Sequence, residues 1–539
     1  LQTSAMGVQN YSPVSYTMPI DSTGDLPDPH TMIERPSPPS STDPYYTAKT
    51  QVEAEKLSAQ AGLYIQVTVT PGVNGTPDTY TVNAYGPPSG VSGTPNGGAA
   101  LGALPAGLVT VIPYQLTQTG TQTQTATKYT YGTTGSGSSW KYTTTPKTGM
   151  TASTPVTQVV NASGTSGLSA TGGAAYSGGS NGSTTNSATT YTSSAAALAA
   201  APGGGATSYT LSGSASNSFA SSNVNQGLYD QRQQAGVNVV QVDLSALRAA
   251  LTDANANSNT DTKAIVDSSS HVWGSTAWNG GVYVDVNAPA GNQTSVALAN
   301  GRVASGSSLL PTVNSTTGLT VATNAPVYIL GNLNADGNTA TGNATTPDDG
   351  RTNAPSTATS SEIPVAVMAD AITILSPGYF SSSISTLGSA APTANTSGTN
   401  AYNSFSTLSP GAANGGLLGT GSANAEIAAA FVTGLVPTSS SASSGGVHNL
   451  PRFLENWGGY TVLIRGSLVA MYNTKTATGT FNGTYYSPPT RSWGFDSIFQ
   501  NGTYPPLTPR VMSYRRIQFG SLSAAAFTAA LHSLWPTEY

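Results

Sequence analysis

Asn332-Leu-Asn-Ala-Asp-Gly-Asn338 carries the sharpest ligand-like spacing in this 539-residue chain. Oxygen-bearing side chains at alternate positions ahead of a glycine imitate the calcium loop of an EF-hand. The ligands would be Asn332, Asn334, Asp336 and Asn338. Only Asp336 is charged, and no Glu stands at the twelfth position. Affinity for Ca2+ follows ligand charge, so the spacing predicts a weak site at most. No other cofactor is expected. Asp253–Asp261 has the same flavour.

Other chemistries find less support. Cleaving a glycosidic bond needs two carboxyls flanking it. Asp285, Asp336, Asp348, Asp349, Glu362 and Asp370 are the candidates, and they read as solvated loop acids rather than as a paired set. The four histidines, His30, His271, His448 and His532, are far apart, with no metal-ligand spacing. A Ser-His-Asp arrangement would need long-range convergence that the sequence does not show. Glycine-rich matches to nucleophile or nucleotide motifs fall in compositional tracts and carry no weight. With no cysteine, disulfides and thiolate chemistry are excluded. The expected protein is not an enzyme.

Composition says where such a chain works. Only 8% of its residues are charged, against about 25% in ordinary soluble domains. Such a surface is wetted by hydroxyls and amides, as in extracellular structural proteins. The net charge is −5 without a Lys/Arg cluster, which argues against a nucleic-acid partner. No apolar run reaches the length of a membrane span. The chain starts at Leu1 without Met, so removal of a targeting or anchoring segment is expected. Asn161, Asn181 and Asn292 are among several glycosylation sequons.

The elements that would position these residues are mainly β. Prolines through residues 1–47 forbid helix and central strand, and predict an extended arm. Ordering such an arm costs roughly 1–2 kcal/mol per residue. It is therefore expected to dock on a second copy, with Tyr11, Tyr16 and Met18 as anchors. One helix is predicted over Tyr46–Ala61, with Asp43 as cap and Gly62 as stop. Leu63–Thr70 and Thr79–Tyr85 form a hairpin around Asn74-Gly75. Residues 86–225 are poor in pattern, with strands at Leu108–Ile112 and Ala126–Tyr131. Their Gly/Ser/Thr tracts predict flexible linkers unless neighbours hold them.

From residue 236 short apolar strands recur: 237–243, 281–286, 295–299, 318–323, 326–330, 364–369, 371–375, 427–435 and 460–472. A helix over Leu244–Asn255, capped by Asp243 or Ser245, interrupts them. Doubled strands at Thr320–Leu330, Val365–Leu375 and Thr461–Met471 suit consecutive faces of a coil. The favoured fold is a right-handed parallel β-helix, or solenoid, in the C-terminal half; the alternative is a multi-domain β-sandwich. The expected divisions are the arm at 1–47, a helix and β-rich region at 48–235, the β-helix at 236–444 and an aromatic-rich cap at 445–539. Phe453, Leu454, Trp457, Trp493 and Phe495 would cover the open end of the coil. Arg452 would pair with Glu455, or Arg491 with Asp496.

The run Gly445-Gly-Val-His-Asn-Leu-Pro-Arg-Phe-Leu-Glu-Asn-Trp-Gly-Gly-Tyr460 is the most distinctive in the chain. With Gly466-Ser-Leu-Val469, Tyr486-Ser-Pro-Pro489 and Arg491-Ser-Trp-Gly-Phe-Asp496, it resembles the C-terminal part of PilX-like pilus-assembly proteins. Gly318–Gly331, Ala369–Ser376 and Ala59–Tyr64 fit the same resemblance, which is strongest over about 270–515. It implies a β-rich bacterial surface or pilus-associated protein and brings no catalytic residues. The family's apolar pilin-type N-terminal helix has no counterpart in this sequence. The expected function is a structural subunit of an extracellular filament, pilus-associated assembly or surface layer, with pilus components or surface glycans as further partners. A glycan-binding adhesin is the alternative, and a polysaccharide-degrading β-helix enzyme a third reading.

Overall fold

The computed structural model describes residues 9–11, 28–72, 78–252, 278–335, 363–375, 425–508 and 512–514, with short breaks inside the longer stretches, and two isolated positions near the C-terminus. Strands dominate. Strand β1 (Gln9–Tyr11) comes first, followed by a 3-10 turn over Pro29–Ile33 and helices α1 (Tyr46–Glu55) and α2 (Leu57–Gln60). Next come β2 (Leu63–Thr70), β3 (Thr79–Pro88), β4 (Gly98–Ala100) and β5 (Val109–Ile112). Two very long strands follow, β6 (Gln115–Ser136) and β7 (Ser139–Asn161). Short strands β8 (Gly164–Ala170), β9 (Ala175–Ser177), β10 (Ser180–Asn181) and β11 (Thr185–Asn186) lead to helix α3 (Ser194–Ala199). A third long strand, β12 (Thr207–Gln226), precedes β13 (Leu228–Asp230), β14 (Ala235–Asp243) and helix α4 (Leu244–Thr252). The rest of the chain adds β15 (Gly281–Asn287), β16 (Thr294–Ala299), a small pair β17 (Val303–Ala304) and β18 (Ser307–Ser308), β19 (Leu319–Thr323) and β20 (Val327–Leu330). It ends with β21 (Val365–Ala369), β22 (Ile372–Leu375), β23 (Ala425–Leu435), β24 (Pro451–Phe453), β25 (Thr461–Asn473), β26 (Thr490–Phe495) and β27 (Met512–Tyr514).

Two sheets make the body. One has the order β26-β25-β23-β21-β19-β15-β2-β3-β4, and its strands from β26 to β2 run parallel. The other runs β13-β14-β16-β20-β22-β24, parallel from β14 to β24, with β5 antiparallel to β14. From β14 to β25 the named strands, apart from the β17–β18 pair, alternate between the sheets along the chain. The doubled strands expected at 320–330 and 365–375 do fall in different sheets. The third does not: Thr461–Asn473 is one continuous strand in one sheet. Gly466 lets it stay close to β23, because a Cβ there would run into the Ala429 carbonyl.

Parallel strands covered on both faces read as unbroken apolar runs. β19 and β21 are buried at every position. The main core lies between the sheets, with Val284, Val321, Val367 and Ile427 facing Val296, Ile329 and Ile374. On the outer face of the first sheet Tyr64, Tyr283, Ala322, Met368 and Val432 stand in register across five strands. Met32, Ile33, Leu57 and Ala61 cover them. The outer face of the second sheet is covered at Val239, Ala297, Tyr328 and Leu375 by Tyr114, Leu228 and Leu454.

The strand expected at Ala126–Tyr131 lies inside β6, but pairing runs far beyond it, through Gly/Ser/Thr tracts that would be linkers if no neighbour held them. β6, β7 and β12 form an antiparallel ribbon in which β6 pairs along its whole length. At about 3.4 Å per residue, the 22 residues of β6 span about 75 Å. Thr, Ser and Gln fill these strands, so neither face has a long apolar stripe to announce it. Ala126, Met150, Ala152 and Ala197 of α3 give the ribbon a small buried centre of its own.

The predicted helix over 46–61 is two helices, broken at Lys56, which is extended at ψ 142°. Its ammonium is buried and donates to the Arg35 carbonyl at 3.0 Å. Asp43 does not cap the helix; its carboxylate accepts from Ser40 N. Asp243 does cap α4, accepting from Ala246 N at 2.9 Å.

Candidate functional site

Several of the few charged residues of this chain converge where its N-terminal segment meets the first sheet. Asp28 begins the 3-10 turn by accepting from His30 N, and Pro29 takes the position that needs no N–H. The turn sends Met32 and Ile33 into the apolar outer face and His30 onto Asp370. Asp370 follows β21 and is fully buried. Its carboxylate faces His30 Nε2 at 2.9 Å and accepts from Lys475 N, Thr476 N, Thr476 Oγ1 and Ala477 N.

His30 Nδ1 lies 3.2 Å from Glu34 Oε1, so a carboxylate stands at each ring nitrogen. Only the imidazolium can donate to both. Burial pulls the His30 pKa down, but hydrogen bonds to Asp370 and Glu34 outweigh it and hold the pKa above 6.5. Burial raises that of Asp370, yet His30 and the backbone donors bring it to about 2. Glu34 also falls to about 2, through His30 and despite burial, with help from Lys475. Lys475 Nζ is 2.5 Å from Glu34 and 3.3 Å from Asp28.

A second node lies along the same sheet. Arg35 grips fully buried Asp285 through Nε at 2.5 Å and Nη2 at 3.3 Å, and Gln66 Nε2 donates to it at 3.0 Å. Arg35 also donates to Asn287 at 2.7 Å, and the Tyr283 hydroxyl donates to the Ile33 carbonyl at 2.8 Å. A third node sits at the root of the ribbon. There Asp78 accepts from Gly72 N and from the carboxamides of Asn161, Asn238 and Asn292.

Chemically these are fastenings. Both His30 nitrogens are engaged, and Asp370 has more donors than the roughly four lone-pair positions of a carboxylate. Asp285 and Asp370 are therefore not the solvated loop acids that the sequence suggested. Asp336, Asp348, Asp349 and Glu362 lie outside the described residues, as do His271 and His532. One signal in the sequence pointed here: Asp28, His30, Glu34 and Arg35 crowd four titratable groups into eight residues of a chain that is 8% charged.

The other predicted sites fare differently. Asn332 Oδ1 accepts from Glu426 N. Asn334 is buried in the left-handed region at φ 57°, donates to the carbonyls of Ile363 and Ala428, and accepts from Ile363 N. These carboxamides serve the backbone, and Asp336 and Asn338 lie outside the described residues. No cluster of three or more His, Asp or Glu able to hold a metal occurs among the described residues. Of the arm, Gln9–Tyr11 pairs with Met512–Tyr514 of the same chain, while Tyr16 and Met18 lie outside the described residues.

Phe453, Leu454 and Trp457 are buried, Phe453 and Trp457 edge to face at 5.8 Å. Trp493 is half-buried under the Arg491 guanidinium, and Phe495 is 61% exposed rather than folded over the core. Arg452 is buried and donates to the Ala477 carbonyl, with Glu455 outside the described residues. The sequons at Asn161 and Asn292 have their carboxamides tied to Asp78, while Asn181 is exposed.

No family model matches the chain, and neither a curated protein nor a solved structure shows significant similarity to it. No helix among the described residues is long and apolar enough to cross a membrane.

Proposed function

We propose that this chain is a non-enzymatic structural subunit of an extracellular bacterial filament, pilus-associated assembly or surface layer, built on a right-handed parallel β-helix. The ribbon carries the reading: three strands of 20 or more residues, nearly free of charge, form a sheet separate from the two sheets of the body. Such a ribbon is a large amount of ordered backbone for a protein acting alone. The alternation of strands between two parallel sheets supports the coil, and right-handed crossovers are the rule in parallel sheets. The buried carboxylates act as fastenings, which suits a passive scaffold. Contacts between subunits are backbone pairing and apolar docking, so salt has little to screen.

Sedimentation velocity and negative-stain microscopy across a concentration series test this. Ordered higher-mass species are expected at low salt and, unchanged, at about 0.5 M NaCl. A protein that stays monomeric throughout, or an assembly that dissolves in that salt, would overturn the reading.

A further inference from the structure

We infer that a second copy of this chain adds to the open edge of β12 over Thr207–Ser212, antiparallel and centred on Thr210. The inference rests on the assembly reading above and specifies its contact.

Among the described residues β12 pairs only with β6, so one edge of the strand presents its N–H and C=O groups outward. Natural edge strands are blunted by charge, proline or bulges. Residues 207–226 contain no charged residue and no proline. Bulges fall at Ser212/Ser216, Phe219/Ser221 and Val224/Gln226. They leave Thr207–Ser212 as the longest uninterrupted run of the strand, and among the described residues of β12 the large exposed apolar side chains lie in this run. Tyr209 is 48% exposed and Leu211 is 55% exposed.

Those two residues are one strand period apart and share a face. Tyr209 is held in place already: its ring stacks on Tyr176 at 4.7 Å, with the Lys128 ammonium 5.9 Å from its centroid. A two-fold axis at Thr210 places Tyr209 opposite the partner's Leu211, and Leu211 opposite the partner's Tyr209. Aromatic–aliphatic pairs of this kind stabilise antiparallel strands. A one-residue slip would set both against Ser or Thr, so the register is specified by the edge itself. That self-complementarity selects a second copy over an unrelated strand.

The edge itself carries no charge. The lysine paired with it is Lys128 of β6, whose ammonium leans over the Tyr209 ring.

The chain has no cysteine, so Thr210→Cys introduces a single thiol. Directly opposed antiparallel residues have Cα atoms about 4.5–5.5 Å apart, within disulfide range. Under mild oxidation T210C should form a covalent dimer much faster than Ser216→Cys, whose copies would lie about 40 Å apart in this register. Leu211→Lys should weaken self-association about tenfold or more, since it breaks both cross-strand pairs and sets charge in the joint. If the chain assembles but T210C cross-links no faster than S216C, or L211K assembles as before, the edge assignment is wrong and the assembly reading stands. If the unmodified chain is monomeric at every concentration, both fall.

Discussion

His30 shows how much this chain asks of one charged residue. Its ring bridges two carboxylates, and through them it ties the N-terminal segment to the turn after β21 and to the loop at 475–477. A His whose pKa is raised by folding adds stability that is complete below its unfolded value of 6.5 and is lost as pH climbs through the folded value. Asp370 and Glu34 are lowered to about 2 from 3.8 and 4.5, so their contribution is complete above those values and is lost as pH falls towards 2. The clasp is therefore strongest between roughly pH 4.5 and 6.5. Melting curves of the unmodified chain and His30→Asn should differ most in that window and converge on both sides; a pH-independent difference would contradict the assignment. Asp370→Asn, which swaps an acceptor for a donor among five donors, should cost about 3 kcal/mol in denaturant unfolding.

At the scale of elements, the ribbon is separable from the body in a way that most long insertions are not. Thr117 of β6 pairs with Asn223 of β12, so the insertion enters and leaves at neighbouring points. A short Gly-Ser bridge joining 117 to 223 has only one strand spacing, about 4.8 Å, to cross. Such an excision should leave the body folded. It also deletes Asn161 and Ala162, which help seal Asp78 and the second core cluster. A loss of about 1–3 kcal/mol is expected from those contacts. Far-UV circular dichroism and the denaturation midpoint check both statements. Loss of all cooperative unfolding would show that the ribbon is integral to the body. The sequence marks only Ala126–Tyr131 of β6 as a strand, and the backbone pairing with β7 and β12 extends it over the full 22 residues.

The whole molecule is closed by residues far apart in sequence. β2 pairs with β15 across more than 200 positions, and the Pro29–Ala61 segment covers the outer face of strands from β2 to β23. The N-terminal segment is thus core cover from Asp28 onward. Among the described residues, removing 1–27 gives up the three-residue pairing of β1 with β27, so the melting temperature should move little. Removing residues 1–40 strips Met32, Ile33, His30 and Arg35, leaving Asp285 and Asp370 buried with their cations gone. That should destabilise the chain by about 5 kcal/mol or more. Equal melting temperatures for the two truncations would refute this view of the clasp.

The sequence by itself determined the buried strands of the two body sheets and the low charge of the chain. Buried parallel strands are unbroken apolar runs such as Val365–Ala369, and a hairpin is written in the alternation of Leu63–Thr70. Both signals are local, because a strand's burial pattern lies in its own residues. The low charge likewise needs no structure to read. What only the tertiary structure decided is where the few charges go. Asp370 is a solvated acid or the centre of a clasp depending on whether His30 and residues 475–477 arrive beside it, and they come from 340 and about 105 residues away. The ribbon belongs to the same class. Its strands are held by each other's backbone, and although Thr favours strands, the run of Thr, Ser and Gln does not say which strands pair or how far.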